Sequence, residues 1–179
     1  MESCRLAREL VPGERVFVSH TVSEAELALF AAATGDVNPI HFDRAYAGAT
    51  FFKGRIVHGM LCAGLISSVI GNHLPGLGTI YVSQSLQFLE PVRVGDTLTV
   101  AVEVQHVDVA RNLVRLRTTC TKGETEVVVD GVAVVEPPKA RPTAESQDAI
   151  RLRTEALEAS MAKAKSAFIS ALTRDSGPT

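Results

Sequence analysis

There is no basic excess in this chain. Eighteen Lys and Arg stand against twenty Asp and Glu, for a formal net charge of −2, which excludes a protein that holds nucleic acid by neutralising its phosphates. Nor is there a CxxC. Cys4, Cys62 and Cys120 are widely separated, so neither a zinc site nor a disulfide frame is expected, and the thiols read as reduced, intracellular ones. No metal is expected. The first ten residues, MESCRLAREL, carry charges throughout and lack the apolar core of a signal peptide. No apolar run reaches the roughly 20 residues of a membrane-spanning helix. A cytoplasmic protein without membrane or nucleic-acid partners is the expectation. P-loop and GxGxxG motifs are missing too, so no stretch announces a nucleotide site.

What is present is enough for one domain and an appendage. Of 179 residues, 46% are hydrophobic, sufficient for a real core in a chain of this length. The organising stretch is Phe30 to His41, FAAATGDVNPIH. Gly35 can take the left-handed conformation that ends a helix, and Pro39 cannot continue one and pushes Asn38 towards an extended conformation. Asp36 and His41 are therefore expected on a constrained loop, close enough to share one water, which is the minimum equipment for moving protons at neutral pH. The same residues also suit a turn and a packed imidazole. The pair alone does not choose.

Around this stretch the coarse pattern is α+β. Glu14 to Ser19 reads as a short strand, and Thr21 to Ala33 as a helix with Ser23 at its N-cap and Glu26 completing a capping box. Asp43 to Tyr46 suits one helical turn. Ile56 to His73 has no charge in its middle and is apolar on nearly every side, the mark of a buried helix. His58 and Gly59 lie at its start, where unsatisfied N–H groups point outward and the dipole favours negative charge. His58 itself reads as a cap or core residue. From Ile80 the period switches to two, with strands over Ile80 to Leu89, Thr97 to His106, Leu113 to Thr121 and Glu126 to Val135. Short connections between them predict an antiparallel, meander-like sheet.

Pro137-Pro138 closes this domain, residues 1–138. Residues 139–147 read as a linker. Residues 148–179 form a helical extension, with Ile150, Leu157, Met161, Ala164, Phe168 and Leu172 giving a narrow apolar stripe over Asp148 to Leu172. Packing or oligomerisation is its simplest use.

The string FAAATGDVNPIH, with Ala47 after it, resembles the signature of the MaoC-like, or R-specific enoyl-CoA hydratase, family. Arg55-Ile-Val-His-Gly-Met60, Tyr81-Val-Ser-Gln-Ser-Leu-Gln-Phe88 and Pro91-Val-Arg-Val-Gly-Asp96 extend the likeness in the same order. It covers Gly13 to Pro137 and leaves the C-terminal helix outside.

The resemblance implies a hot-dog fold, an antiparallel sheet wrapped around a long buried helix, and a homodimer or dimer of dimers. It implies reversible syn hydration of trans-2-enoyl-CoA to (R)-3-hydroxyacyl-CoA, with coenzyme A as part of the substrate and no separate cofactor. Asp36 and His41 match the catalytic acid and imidazole, and Gly59 the backbone N–H that holds the thioester oxygen. Asn38 orients the loop. Ser67, Ile70 and Val135 match positions lining an acyl pocket for short to medium chains. A 3-hydroxyacyl-ACP dehydratase, a thioesterase on the same fold, and a non-catalytic acyl-thioester-binding subunit are the alternatives. Arg55 stands where many relatives have Pro. Lys53, Arg55 and Arg93 are the cations available to a carrier, and each equally suits a solvated surface.

Overall fold

The computed structural model describes residues 4–175, in two compact units, Met1–Arg141 and Pro142–Thr179. The first unit holds a five-stranded antiparallel sheet: β1 (Arg15–Thr21), β2 (Ile80–Phe88), β3 (Thr97–Asp108), β4 (Leu113–Lys122) and β5 (Glu126–Glu136). Its spatial order is β1-β3-β4-β5-β2. Only β3, β4 and β5 form the expected meander, because β2 pairs with β5 and not with its neighbour in sequence. The connection after β2 explains the departure. Leu89 N–H donates to Val128 O, and Val57 N–H donates to Val92 O, so this segment is tied to β5 and to the 51–58 region and cannot fold back as a hairpin.

Alternation builds the inner face. Val100, Val102 and Val104 of β3 meet Val114, Leu116 and Cys120 of β4 in one core. In β5 the alternation breaks where Val128 and Val129 are both buried. The register slips there between Cys120 and Thr121, and a bulge of this kind turns two successive side chains inward.

Helix α1 (Glu24–Thr34) follows β1. Ser23 Oγ accepts from Glu26 N–H while Ser23 N–H donates to the Glu26 carboxylate at 2.8 Å, so the capping box is complete. Gly35 ends the helix at φ 76°, a conformation that costs glycine nothing. Two short helices follow, α2 (Pro39–Phe42) and α3 (Arg44–Ala49). The expected loop at His41 is thus a helical turn. Pro39 breaks an ongoing helix but suits the first position of a new one, where its missing N–H would have no partner.

The long helix α4 (Gly59–Asn72) packs Leu61, Cys62, Ile66, Val69 and Ile70 into the core. Its burial is one-sided. Met60, Gly64, Ser67 and Ser68 are exposed, so the reading of this helix as buried all round holds for only one face of this chain.

In the second unit α5 runs over Ala144–Asp175. It starts four residues ahead of the expected Asp148, because Thr143 Oγ1 accepts from Ser146 N–H and caps the helix inside the stretch read as a linker. Leu157 and Met161 are exposed on it. The side chain of Leu172, expected in the same stripe, lies outside the described residues, as do residues 176–179.

Candidate active site

The α1–α2 junction is built by local hydrogen bonds. Thr34 Oγ1 donates to Phe30 O at 2.8 Å and receives Asp36 N–H at 3.3 Å. Asn38 N–H donates to Asp36 Oδ1, and Asn38 Oδ1 accepts from Ile40 N–H at 3.1 Å, capping α2. Asn38 therefore does what its type favours before a helix, and in doing so fixes both the Asp36 side chain and the turn carrying His41.

His41 is buried and Asp36 is half exposed. The His41 Nδ1 lies 2.8 Å from Ile56 O. A carbonyl only accepts, so Nδ1 carries a hydrogen, and in the neutral ring Nε2 then presents a lone pair.

His58 is the residue that sequence reasoning undervalued. It is 2% exposed, and its Nε2–H donates to the backbone O of Asp36 at 3.0 Å. Its ring stacks on His41 with centroids 3.8 Å apart, and the Phe30 ring lies 4.9 Å away, tilted against it. His58 thus anchors the backbone of Asp36 and covers the flank of His41. The only signal in the chain was an imidazole at the head of an apolar helix.

One ligand-capable atom each from Asp36, His41 and His58 lies within 4.8 Å of the others. The spacing alone would also suit a metal. The donor set fits one less well: the His58 nitrogen facing Asp36, Nε2, is spent as an N–H donor to Asp36 O, which leaves His58 only its buried, unpartnered Nδ1 with a lone pair for a cation. The spacing has another use. Two hydrogen bonds of about 2.8 Å meeting at a tetrahedral oxygen span about 4.6 Å, so Asp36 and His41, with ligand-capable atoms no more than 4.8 Å apart, are within reach of one shared water.

Gly59 opens α4 directly after His58 and lies on the wall of an apolar cavity of about 510 Å³. Phe51, Phe52, Ile56, Phe88 and Val129 contribute to the same wall. As the first residue of the helix, Gly59 has no carbonyl one turn behind to receive its N–H, and it has no other partner among the described residues. A Cβ at Gly59 would stand 2.9 Å from the Phe88 ring, so glycine is also what keeps the cavity open at this donor. Cys62 shares the wall, and burial pushes its thiol up to about 11. At neutral pH it is no nucleophile.

Asp36, Asn38 and His41 are thus brought together, and Gly59 adjoins them through His58, which touches both Asp36 and His41; of the four only Gly59 lines the cavity. Ser67, Ile70 and Val135 do not join them: Ser67 is exposed, Ile70 and Val135 are core residues, and none of them lines the cavity. Ile70→Ala should then behave as a core truncation, costing about 2–5 kcal/mol of stability. Thermal melts should show a fall in Tm of roughly 10 °C, with the ratio of activity on octenoyl-CoA to crotonyl-CoA unchanged. A raised ratio with an unchanged Tm would put Ile70 on the acyl path.

The chain can be compared with known proteins on this basis. The family model described as a MaoC like domain matches residues 10–128. An (R)-specific enoyl-CoA hydratase of Rhodospirillum rubrum is 46% identical over 73% of this chain and 90% of its own length. Among solved structures, R-hydratase PhaJ1 of Pseudomonas aeruginosa superposes with a TM-score of 0.70 at 44% identity, over 75% of this chain and 86% of that one. The (R)-hydratase from A. caviae involved in PHA biosynthesis gives a TM-score of 0.70 at 42% identity, over 73% and 99%. With its antiparallel sheet packed on α4 in the hot-dog arrangement, and with this match over most of its first unit, the chain belongs to the MaoC-like family.

Proposed function

We propose that this chain is an (R)-specific enoyl-CoA hydratase, and that residues 1–138 form its hydratase domain. The observation that carries the reading is the approach of Asp36 and His41 to within 4.8 Å of each other beside a free N–H at the head of α4. A carboxylate and an unprotonated Nε2 are both acceptors. A water between them directs its two hydrogens at the protein and leaves its lone pairs for carbon 3 of the enoyl thioester. As oxygen bonds to that carbon, the pair takes up one of the water's protons and returns one to carbon 2 from the same face. The other proton stays on the new hydroxyl, so protons balance over the cycle.

Charge meanwhile builds on the thioester oxygen. The Gly59 N–H at the positive end of α4 is placed to receive it, and a fixed donor needs no reorganisation at that moment. Asn38 and His58 position the acid. The apolar cavity takes a short to medium acyl chain, each buried methylene contributing about 0.8 kcal/mol.

An acyl-CoA is the substrate and no separate cofactor is used. The buried, unpaired thiols of Cys62 and Cys120 suit a reducing compartment, the cytoplasm. No helix among the described residues is long and apolar enough to cross a membrane. A homodimer is supported by the sheet edge. β2 ends the sheet, with Ile80, Val82 and Phe88 exposed, and an unpaired apolar edge of this kind invites a second strand.

The function is tested with crotonyl-CoA. Hydration removes the enoyl absorbance and releases no thiol. Release of free coenzyme A would mark a thioesterase, and an unchanged spectrum a binding protein.

A further inference from the structure

Beside the apolar cavity lies a second recess of about 270 Å³, lined by Arg44, Arg55, Arg93, Ile56 and Val94. Ile56 is common to both. The segment 51–56 walls the cavity with Phe51 and Phe52 and the recess with Arg55, while the segment 91–94 walls the cavity with Val92 and the recess with Arg93. The two spaces therefore adjoin at Ile56. In a chain whose net charge is −2, three guanidinium groups around one small hollow are a local concentration of positive charge.

Two of the three are held in place by the protein itself. Arg93 donates from Nη1 to Arg55 O at 3.1 Å and from Nη2 to Phe52 O at 2.7 Å. Glycine at position 54 makes this possible, since a Cβ there would stand 2.7 Å from Arg93 Nη1. Arg55 forms a bidentate pair with Glu24, both contacts at 2.8 Å. Each guanidinium carries five N–H donors, so Arg55 keeps three and Arg93 also keeps some for a ligand. Arg44 is exposed and has no partner among the described residues. Glu24 offsets one of the three charges. Its carboxylate is occupied by Arg55, so the recess still favours an anion, and fixed planar forks are the groups that bind phosphate best.

Resting on the hydratase reading above, we propose that the recess between Arg44, Arg55 and Arg93 binds the phosphate at the end of the carrier's pantetheine arm while the acyl chain occupies the adjoining cavity. That phosphate is common to coenzyme A and to phosphopantetheinylated carrier proteins. Arg55, which stands where many relatives have Pro, thereby becomes a recognition residue, and Glu24 the group that orients it.

The test compares crotonyl-CoA, crotonyl-4′-phosphopantetheine and crotonyl-pantetheine on the wild-type protein and on Arg44→Ala, which breaks no internal contact. Arg44→Ala should raise KM about tenfold for the two phosphorylated thioesters, leave kcat unchanged, and leave KM for crotonyl-pantetheine where it was. Equal losses on all three substrates, or none on any, would overturn the assignment. A loss on crotonyl-CoA alone would overturn it as well, since the recess would then read a nucleotide phosphate and not the arm. Arg44→Lys should restore part of the lost affinity. A fourth arm, crotonyl-loaded carrier protein, identifies the source of the phosphate by which carrier has the lower wild-type KM. Should wild type hydrate none of these thioesters, the hydratase reading fails; a wild type active on all of them with an unmoved Arg44→Ala sinks only the recess.

Discussion

Asp36→Asn and His41→Gln should each lower kcat for hydration of crotonyl-CoA by about 10²–10⁴-fold, the range expected when a positioned acid or base is lost. Both changes preserve shape. Asn at position 36 still offers an Oδ1 to Asn38 N–H, the contact now made at 3.3 Å. Gln at position 41 can still donate to Ile56 O, which His41 Nδ1 reaches at 2.8 Å. What each removes is a group that can take up a proton, because an amide oxygen still accepts a hydrogen bond but is no base at neutral pH. The double variant should be little worse than either single one, because two groups holding one water act as a unit. Stopped assays on proteins with matched circular dichroism and Tm decide the matter. A well-folded single variant that keeps a tenth of wild-type turnover removes that residue from the mechanism.

The second large effect belongs to a backbone atom. Gly59→Pro deletes the N–H at the head of α4, and a loss of about 10²–10³ in kcat is expected for one oxyanion donor. Proline is well suited to this position. It is favoured at the first residue of a helix, and the residue before it must be extended. His58 already is, at φ −57° and ψ 126°. Gly59→Ala is the control. It keeps the donor but brings a Cβ against the Phe88 ring, which is half exposed and free to shift, so its loss should be the smaller by tenfold or more. Equal losses in both variants would assign the effect to crowding of the cavity and leave the thioester oxygen without its proposed partner.

Much of this arrangement was legible because it is local. The Ser23–Glu26 capping box, Gly35 at the end of α1 and the alternating valines of β3 each depend on neighbours within a few positions, and the structure has all of them. Asp36, Asn38 and His41 could be singled out for the same reason. What escaped depends on distant pairings. Nothing around Ile80 to Phe88 says that β2 will lie against β5, since a strand's partner is chosen by tertiary packing and not by its own residues. Pro39 was read as a stop when it is a start, because one residue type serves both ends of a helix. His58 looked like a cap; that its ring would lie on His41, 17 positions earlier in the chain, is a matter of how α4 meets the α1–α2 junction. The cavity wall joins Phe51, Phe88 and Val129, three segments with no shared pattern, whereas Ile70 had the right helical spacing and packs into the core.

On the proposed mechanism one water, held between Asp36 and His41, adds from the same face that receives the proton. Its stereochemistry is read by running crotonyl-CoA hydration in D₂O and examining the product by proton NMR and chiral chromatography. The expected product is (3R)-hydroxybutyryl-CoA carrying one deuterium at carbon 2, placed syn to the new hydroxyl. A (3S) product, an anti placement, or deuterium scrambled over both positions at carbon 2 at early conversion would contradict that mechanism.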